Sequence, residues 1–325
     1  MRYLFFVLLI LDVAWWSLSA FSVLRWERWF FLELIPAFDI VAVIAHFMLL
    51  IVLVVIDKRI GVLLLVSLLW MGLLANRHLA TNGSEEVVEH SASLRLMTLN
   101  VQQFGHRDEE YLELARWVKE ADIDVLCLQE FGLMSEWPET RLAAERFAAA
   151  SGLRNADFDP FPGSVYGTAI FSRYPIQIDS VIQGSEPSIN QVKAHRLYWR
   201  KQWITIVNGH LESYNFEKKT PNDSVIQVRI KQAKAMISYA QSSAHPLLIC
   251  GDMNTVPGSK NYELLAHGRQ DVQKVAGLGM MATYRHFPVR IDYVFCPLDW
   301  QVRSVHLETP ISSDHFGILC EFWLP

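Results

Sequence analysis

From Leu94 onward the chain keeps one rhythm: a short apolar run, then a polar side chain able to hold a cation or move a proton. The runs are Leu94 to Val101, Val125 to Gln129, Thr168 to Ser172, Trp203 to Asn208, Leu247 to Cys250, Ile291 to Phe295 and Ile318 to Trp323. Each has strand length and is too short for an ordinary helix. Between them, Tyr111 to Glu120, Glu139 to Ala150 and Val225 to Gln241 carry the apolar spacing of amphipathic helices. The polar residues beside the runs are Asn100, Glu130, His210, Asp252 with Asn254, and Asp314 with His315. Singly, each is explained by a turn, a loop start or a structural histidine. Jointly they point to a cleft, because strand ends on one edge of packed sheets converge.

The first 75 residues are of another kind, nearly all apolar, and they lift the hydrophobic share of the 325-residue chain to 51%. Tyr3 to Leu24, interrupted by Asp12, is long enough to cross a bilayer, which takes roughly 20 residues, and no small-residue cleavage site follows it. Phe38 to Ile56 and Ile60 to Ala75 flank Asp57, Lys58 and Arg59 as a helical hairpin would. We therefore expect a transmembrane anchor of about three helices over residues 1–75, a polar linker over 76–93 and a catalytic domain over 94–325. The basic residues flanking the spans are nearly balanced, and the free amine and the hairpin position tip the amino terminus toward the cytoplasm. The expected localisation is a multi-pass protein of a bacterial inner membrane, its catalytic domain facing the periplasm or exterior. Asp12 and His46 read as helix-packing contacts in preference to a transport relay.

A net charge of -5 excludes a broad basic face for long nucleic acid, though not a nuclease that grips a few phosphates. Cys127, Cys250, Cys296 and Cys320 lie in or beside strand-like runs and read as buried thiols, with no zinc-type spacing. An oxidising compartment would allow a disulfide among them. Carboxylate and amide oxygens at Glu130, Asp314 and Asn100 suit a hard cation, so Mg²⁺ or Mn²⁺ is the expected cofactor. Hydrolysis of a phosphate ester needs such a cation, a base for water and donors for the phosphoryl oxygens.

The segments that carry these residues are LRLMTLNVQQFG, DVLCLQE, YGTAIFSRYPI, IVNGHLES, LLICGDMNTVPGSKNYELL, RIDYVFC and SSDHFGI. In type and order they resemble the endonuclease/exonuclease/phosphatase superfamily, which includes DNase I, AP endonucleases, deadenylases, inositol phosphatases and neutral sphingomyelinases. The resemblance runs from Leu94 to the carboxyl terminus. It implies an α+β fold, the DNase I-like four-layer α/β/β/α sandwich, here preceded by the three transmembrane helices. It implies Glu130 as main metal ligand with Asn100 and Asp314 in support. Asp252 would orient or deprotonate water, Asn254 would hold a phosphoryl oxygen, and His315, fixed by Asp292, would contact the scissile phosphate. His210 becomes a further phosphate-contacting or acid group, and Thr168 a substrate contact. The sequence departs from the family at Asn208-Gly209, where threonine is usual before the histidine, and at Phe316-Gly317, where proline often follows.

The expected function is thus divalent-metal-dependent hydrolysis of phosphate esters, most simply as a phosphodiesterase. The anchor makes the lipid bilayer a partner and favours a lipid or amphiphilic phosphodiester over DNA or RNA. Lys193, His195, Arg196, Arg200 and Lys201, with Lys218 and Lys219, form either a phosphate-binding rim or a solvated loop. A non-catalytic binding module would have lost one of Glu130, Asp252, Asn254, Asp314 and His315, and all are present.

Overall fold

A strand buried on both faces reads as an unbroken apolar run, and the runs after Ser93 meet that condition in a computed structural model of the chain. The structure describes residues 3, 6, 7, 10, 11, 14, 15, 30–56, 61–80, 93–106, 110–132, 137–158, 166–182, 192–214 and 222–323. One six-stranded sheet holds β1 (Leu94–Asn100), β2 (Val125–Phe131), β3 (Asn155–Phe158), β4 (Gly167–Ser172), β11 (Gln301–Glu308) and β12 (Gly317–Trp323), in the order β11-β12-β1-β2-β4-β3. The other holds β5 (Ile176–Val181), β6 (Val192–Trp199), β7 (Gln202–His210), β8 (Leu247–Asp252), β9 (Gln270–Asp271) and β10 (Asp292–Cys296), in the order β5-β6-β7-β8-β10-β9. Leu96, Val125, Cys127, Ile206, Cys250, Val294 and Ile318 fill the space between the sheets. Helices α3 (Glu110–Glu120) and α4 (Trp137–Ser151) supply Leu114, Val118 and Phe147 to the core on the outer face of the first sheet. Helices α5 (Asn222–Ser242) and α6 (Lys260–Ala266) supply Ala233, Met236, Tyr262 and Leu265 to the core on the second. A short helix, α7 (Val272–Ala276), follows β9.

The expected class needs correction. The sheets are mixed, and the helices are interleaved with the strands instead of segregated from them, so the fold is α/β and not α+β. β1 and β2 run parallel, as do β7 and β8. A parallel pair needs a crossover of a dozen or more residues, and α3 and α5 supply them.

The membrane part needs correction too: among the described residues no helix is long and apolar enough to cross a membrane. Helix α1 (Phe30–Ile56) carries Pro36 and, at Asp39, a fully buried carboxylate that accepts from Trp15 Nε1 at 3.3 Å. The residues beyond Asp39 then amount to roughly 25 Å of helix, and α2 (Gly61–His78), ending in Arg77 and His78, to about 27 Å, against a hydrocarbon core of about 30 Å. Most of Tyr3 to Leu24 lies outside the described residues. The expected three-helix anchor, inner-membrane localisation and bilayer partner are therefore not supported, and the lean toward a lipid substrate, which rested on the tether, falls with them. Residues 81–92 of the expected linker also lie outside the described residues.

Lys193, His195 and Arg196 of the basic segment lie on β6 and not in a loop, whereas Arg200 and Lys201 form the exposed turn between β6 and β7. Lys193 and His195 lie on β6, each almost fully buried, with Asp157 of β3 at 3.6 Å from Lys193 Nζ and 2.7 Å from His195 Nε2. This charged group staples the edge of one sheet to the other. Burial alone would raise the Asp157 carboxyl, but the His195 hydrogen bond and the Lys193 charge outweigh it and hold it below its ordinary 3.8. A depressed carboxylate contributes stability that is present above the unfolded value and lost as pH falls through the folded one. Asp157→Ala, which removes the carboxylate that the buried Lys193 and His195 both face, is expected to cost about 3 kcal/mol at pH 7. Denaturant titrations of both proteins should show the gap steady above about pH 5 and closing below about pH 4. A gap unchanged at pH 3 would mean that Asp157 acts by packing alone.

All four cysteines are free and buried. Burial pushes the Cys296 thiol up to about 12, and the neighbouring Asp271 and Asp299 add to it, so this sulfur stays protonated at neutral pH.

Candidate active site

Parallel strands deliver their carboxyl ends to one edge of a sheet, and here two parallel pairs from opposing sheets deliver theirs to the same edge. β1 ends at Asn100 in register with Gln129 of β2, one residue before Glu130. β7 ends at His210 in register with Asp252 of β8. β10 is antiparallel to β8 and so begins at that edge, with Asp292 opposite Asp252. β12 is antiparallel to β1, which brings the Asp314-His315 loop before it to the same place.

Local backbone irregularities aim the side chains. A bulge interrupts β2 against β4 between Leu128 and Phe131, and within it Glu130 takes φ 51°. Such a bulge turns a side chain out of the alternating pleat, here into the cleft. Asn254 takes φ 46°, its N–H donating to Asp252 Oδ1 at 2.9 Å and its Nδ2 to Leu211 O at 2.9 Å.

The polar groups are within reach of one another. Asn100 Nδ2 donates to Glu130 Oε1 at 3.2 Å and to Asp252 Oδ2 at 3.0 Å, tying the two sheets across the cleft. Asn100 Oδ1 accepts from Gln102 N at 2.9 Å. His210 Nε2 is 3.7 Å from both Glu130 Oε1 and Asp252 Oδ2. His315 Nε2 is 3.8 Å from Asp252 Oδ2 and from Asp314 Oδ1, and its Nδ1 is 2.8 Å from Asp292 Oδ2. Burial disfavours the imidazolium, but Asp292, Asp252 and Asp314 outweigh it and lift the ring's pKa to about 10. Burial raises the Asp314 carboxyl, His315 opposes this, and the nearby Glu130 charge adds to it.

Six of the expected residues, Glu130, His210, Asp252, Asn254, Asp314 and His315, line one cavity of about 480 Å³. Asn100 and Asp292 stand behind them through the contacts above. Thr168 does not join: it is buried on β4, and its hydroxyl has no hydrogen-bond partner among the described residues.

The donor chemistry suits a hard cation. Asp314 Oδ1 is buried, has no hydrogen-bond partner among the described residues, and belongs to the cavity that Glu130 also lines. Asp252, Asp292 and His315 also offer ligand atoms within 4.8 Å of one another. Asp292 Oδ2 is already engaged by His315 Nδ1, so that trio has the form of a carboxylate-oriented imidazole.

Several contributors were not foreseen. Tyr284 packs its ring edge-on against His315 at 5.4 Å and lines the cavity. Thr283 Oγ1 accepts from the N–H groups of Ile291 and Asp292, fixing the start of β10. Asn208, the departure from the family pattern, bridges the sheets: its Oδ1 accepts from Gln129 Nε2 at 2.7 Å, and its Nδ2 donates to Leu128 O and Ala169 O at 3.1 and 3.0 Å. A polar residue two positions before His210 inside an apolar run was the available signal for Asn208. Tyr284 sits in a stretch without strand or helix period and left none.

Residues 97–315, more than half of the chain, match the Endonuclease/Exonuclease/phosphatase family. A 42-residue segment is 45% identical to part of the CCR4-Not complex 3'-5'-exoribonuclease subunit Ccr4 of Aspergillus fumigatus, covering 13% of this chain and 6% of that protein. The match thus spans only a small part of that relative's length. Humanized D. rerio TDP2 is 19% identical, with a TM-score of 0.57 over 72% of this chain and 100% of that one. The human Nocturnin catalytic domain with bound sulfate is 18% identical, with a TM-score of 0.53 over 73% and 95%. At such identities the structural likeness is one of fold, while the match over 97–315 is one of family. The chain belongs to the endonuclease/exonuclease/phosphatase family of enzymes that hydrolyse phosphate esters.

Proposed function

We propose that this chain is a divalent-metal-dependent phosphodiesterase that splits its substrate by attack of water on phosphorus. The observation that carries the reading is the meeting of Glu130, Asn100 and Asp314 with His210, Asp252 and His315 at the common edge of two sheets, within hydrogen-bond or ion-pair distance. Glu130 and Asp314 would hold Mg²⁺ or Mn²⁺. When bound, the cation offsets charge on the phosphoryl oxygens.

Asn100 serves as a brace in this reading. Its oxygen faces the Gln102 N–H and its NH₂ faces two carboxylates, and the reversed amide would set like against like at all three contacts. Asp252 accepts the proton of the attacking water, held for that purpose by Asn100 and the Asn254 N–H. Asn254 and His210 contact phosphoryl oxygens. His315, oriented through Nδ1 by Asp292, presents Nε2 to the charge that grows as the phosphorus–oxygen bond to the leaving group breaks. The matched ribonuclease segment supports a nucleic-acid or nucleotide ester as substrate.

The full chain with Mn²⁺ or Mg²⁺ is expected to release p-nitrophenol from bis-p-nitrophenyl phosphate, and EDTA to abolish it until metal is restored. Glu130→Ala should raise the metal concentration needed for half-maximal rate by roughly 10- to 100-fold. Turnover indifferent to EDTA would end the metal reading, and an unchanged metal requirement in Glu130→Ala would remove Glu130 from the site.

A further inference from the structure

The cavity that holds the polar residues has a second wall that no hydrolytic step uses, and the amino-terminal helix builds part of it. Ala37 and Phe38 of α1 line it together with Tyr214, Tyr284, Phe287 and Val289. The Phe38 and Phe287 rings lie 5.4 Å apart at 57°. Phe38 nonetheless remains 42% exposed, a large apolar surface that the fold has left open beside buried carboxylates.

This wall is anchored. Ile35, three residues before Phe38, packs on Ile226 and Ile230 of α5. After α2 the chain is tied back to the catalytic layers by paired hydrogen bonds between Ala80 and Gly279, at 2.8 and 3.0 Å. Across the opening, the Arg229 guanidinium lies 4.3 Å from the centre of the Tyr214 ring and holds it in place. The result is a cavity of about 480 Å³, charged on one side and aromatic on the other, within the usual range for one small ligand.

We propose that Phe38 and Phe287 receive a flat, apolar ring carried on the non-leaving group of the phosphate ester, which makes the amino-terminal helix a determinant of substrate specificity. The proposal rests on the phosphodiesterase reading above. Stacking or edge contact with two tilted rings favours a planar group over an alkyl chain of similar area. A nucleobase and an aryl group share that chemistry. An element outside residues 97–315, the part of the chain that matches the family, would then decide which esters this enzyme takes.

The test uses the full chain with Mn²⁺ and four diesters that share one leaving group: the p-nitrophenyl esters of thymidine 5′-phosphate, p-nitrophenyl phosphate, methyl phosphate and hexyl phosphate. Phe38→Ala is expected to raise KM for the thymidine and bis-aryl esters by roughly 10-fold, with kcat and the methyl and hexyl esters altered by less than about 2-fold. Phe38→Leu, which preserves apolar bulk and packing, should show the same selective direction. An effect on the thymidine ester identifies a base-binding wall, and an effect confined to the bis-aryl ester an aryl-binding one; both support the proposal. Equal effects on all four esters, which would put the shared p-nitrophenyl leaving group on this wall or reflect a general defect, no effect on any, or a hexyl ester that follows the thymidine and bis-aryl ones would overturn it while the catalytic reading stands. Absence of wild-type turnover of every ester would overturn both.

Discussion

Asp252→Asn is expected to lower kcat on bis-p-nitrophenyl phosphate by roughly 10³-fold while KM moves by less than about 3-fold. Asp252 stands at the centre of the constellation. It accepts from Asn100 Nδ2 at 3.0 Å and from the Asn254 N–H at 2.9 Å, and both His210 and His315 lie within 4 Å of its Oδ2. Asparagine keeps the shape and removes the negative charge together with the capacity to take a proton. One of its two terminal positions must also become an NH₂ facing either Asn100 or the Asn254 N–H, neither of which can accept it. The loss should therefore appear in the chemical step and not in substrate capture. Steady-state kinetics on protein of wild-type circular dichroism decides the matter, and a kcat within 10-fold of wild type would remove Asp252 from the reaction.

The second large effect is on folding. Gly251, the residue before Asp252, takes φ 131°, and a Cβ there would sit 2.0 Å from the carbonyl oxygen of Gly209 on the paired strand. Backbone is the obstacle, so no rotamer relieves the clash, and the conformation itself disfavours any L side chain. Gly251→Ala should cost about 4 kcal/mol or more and leave little folded protein. Gly268 provides the control: it also has positive φ, at 70°, but a methyl group added there would meet nothing within 4 Å. Gly268→Ala should cost about 1 kcal/mol, the strain alone. Thermal melts of the two variants side by side test the steric argument, and equal losses would refute it. Gly251 lets β7 and β8 approach just where His210 and Asp252 must face one cleft.

What was legible in advance follows the physics of burial. The strands at Leu94, Val125, Leu247 and Gly317 are covered on both faces, so their apolar runs are continuous and easily read. β5 is largely exposed, with Ile178 and Val181 at the surface, and β11 alternates without a continuous run, so neither announces itself. β6 reads from sequence as either a phosphate-binding rim or a solvated loop because Lys193 and His195 look like surface residues. The distant Asp157 helps to make their burial tolerable, and that pairing joins strands from different sheets. The apolar leader misled for a related reason. Composition reports how apolar a segment is, but a helix such as α1 can dock part of that surface on protein, as Phe38 does on Phe287.

The polar residues at the strand ends were fixed by local sequence, because metal and proton chemistry restricts which side chains can stand there and strand length sets where they fall. Tertiary structure alone decided their mutual relations. Asn100 reaches Asp252 across 152 positions of chain and His315 reaches Asp292 across 23, distances that no local pattern encodes. The bulge that turns Glu130 inward, the Gln129–Asn208 bridge between sheets and the aromatic wall of Phe38 and Phe287 likewise arise only when separate layers meet. Side-chain type is a property of one residue, whereas a site is a property of the packing that brings several together.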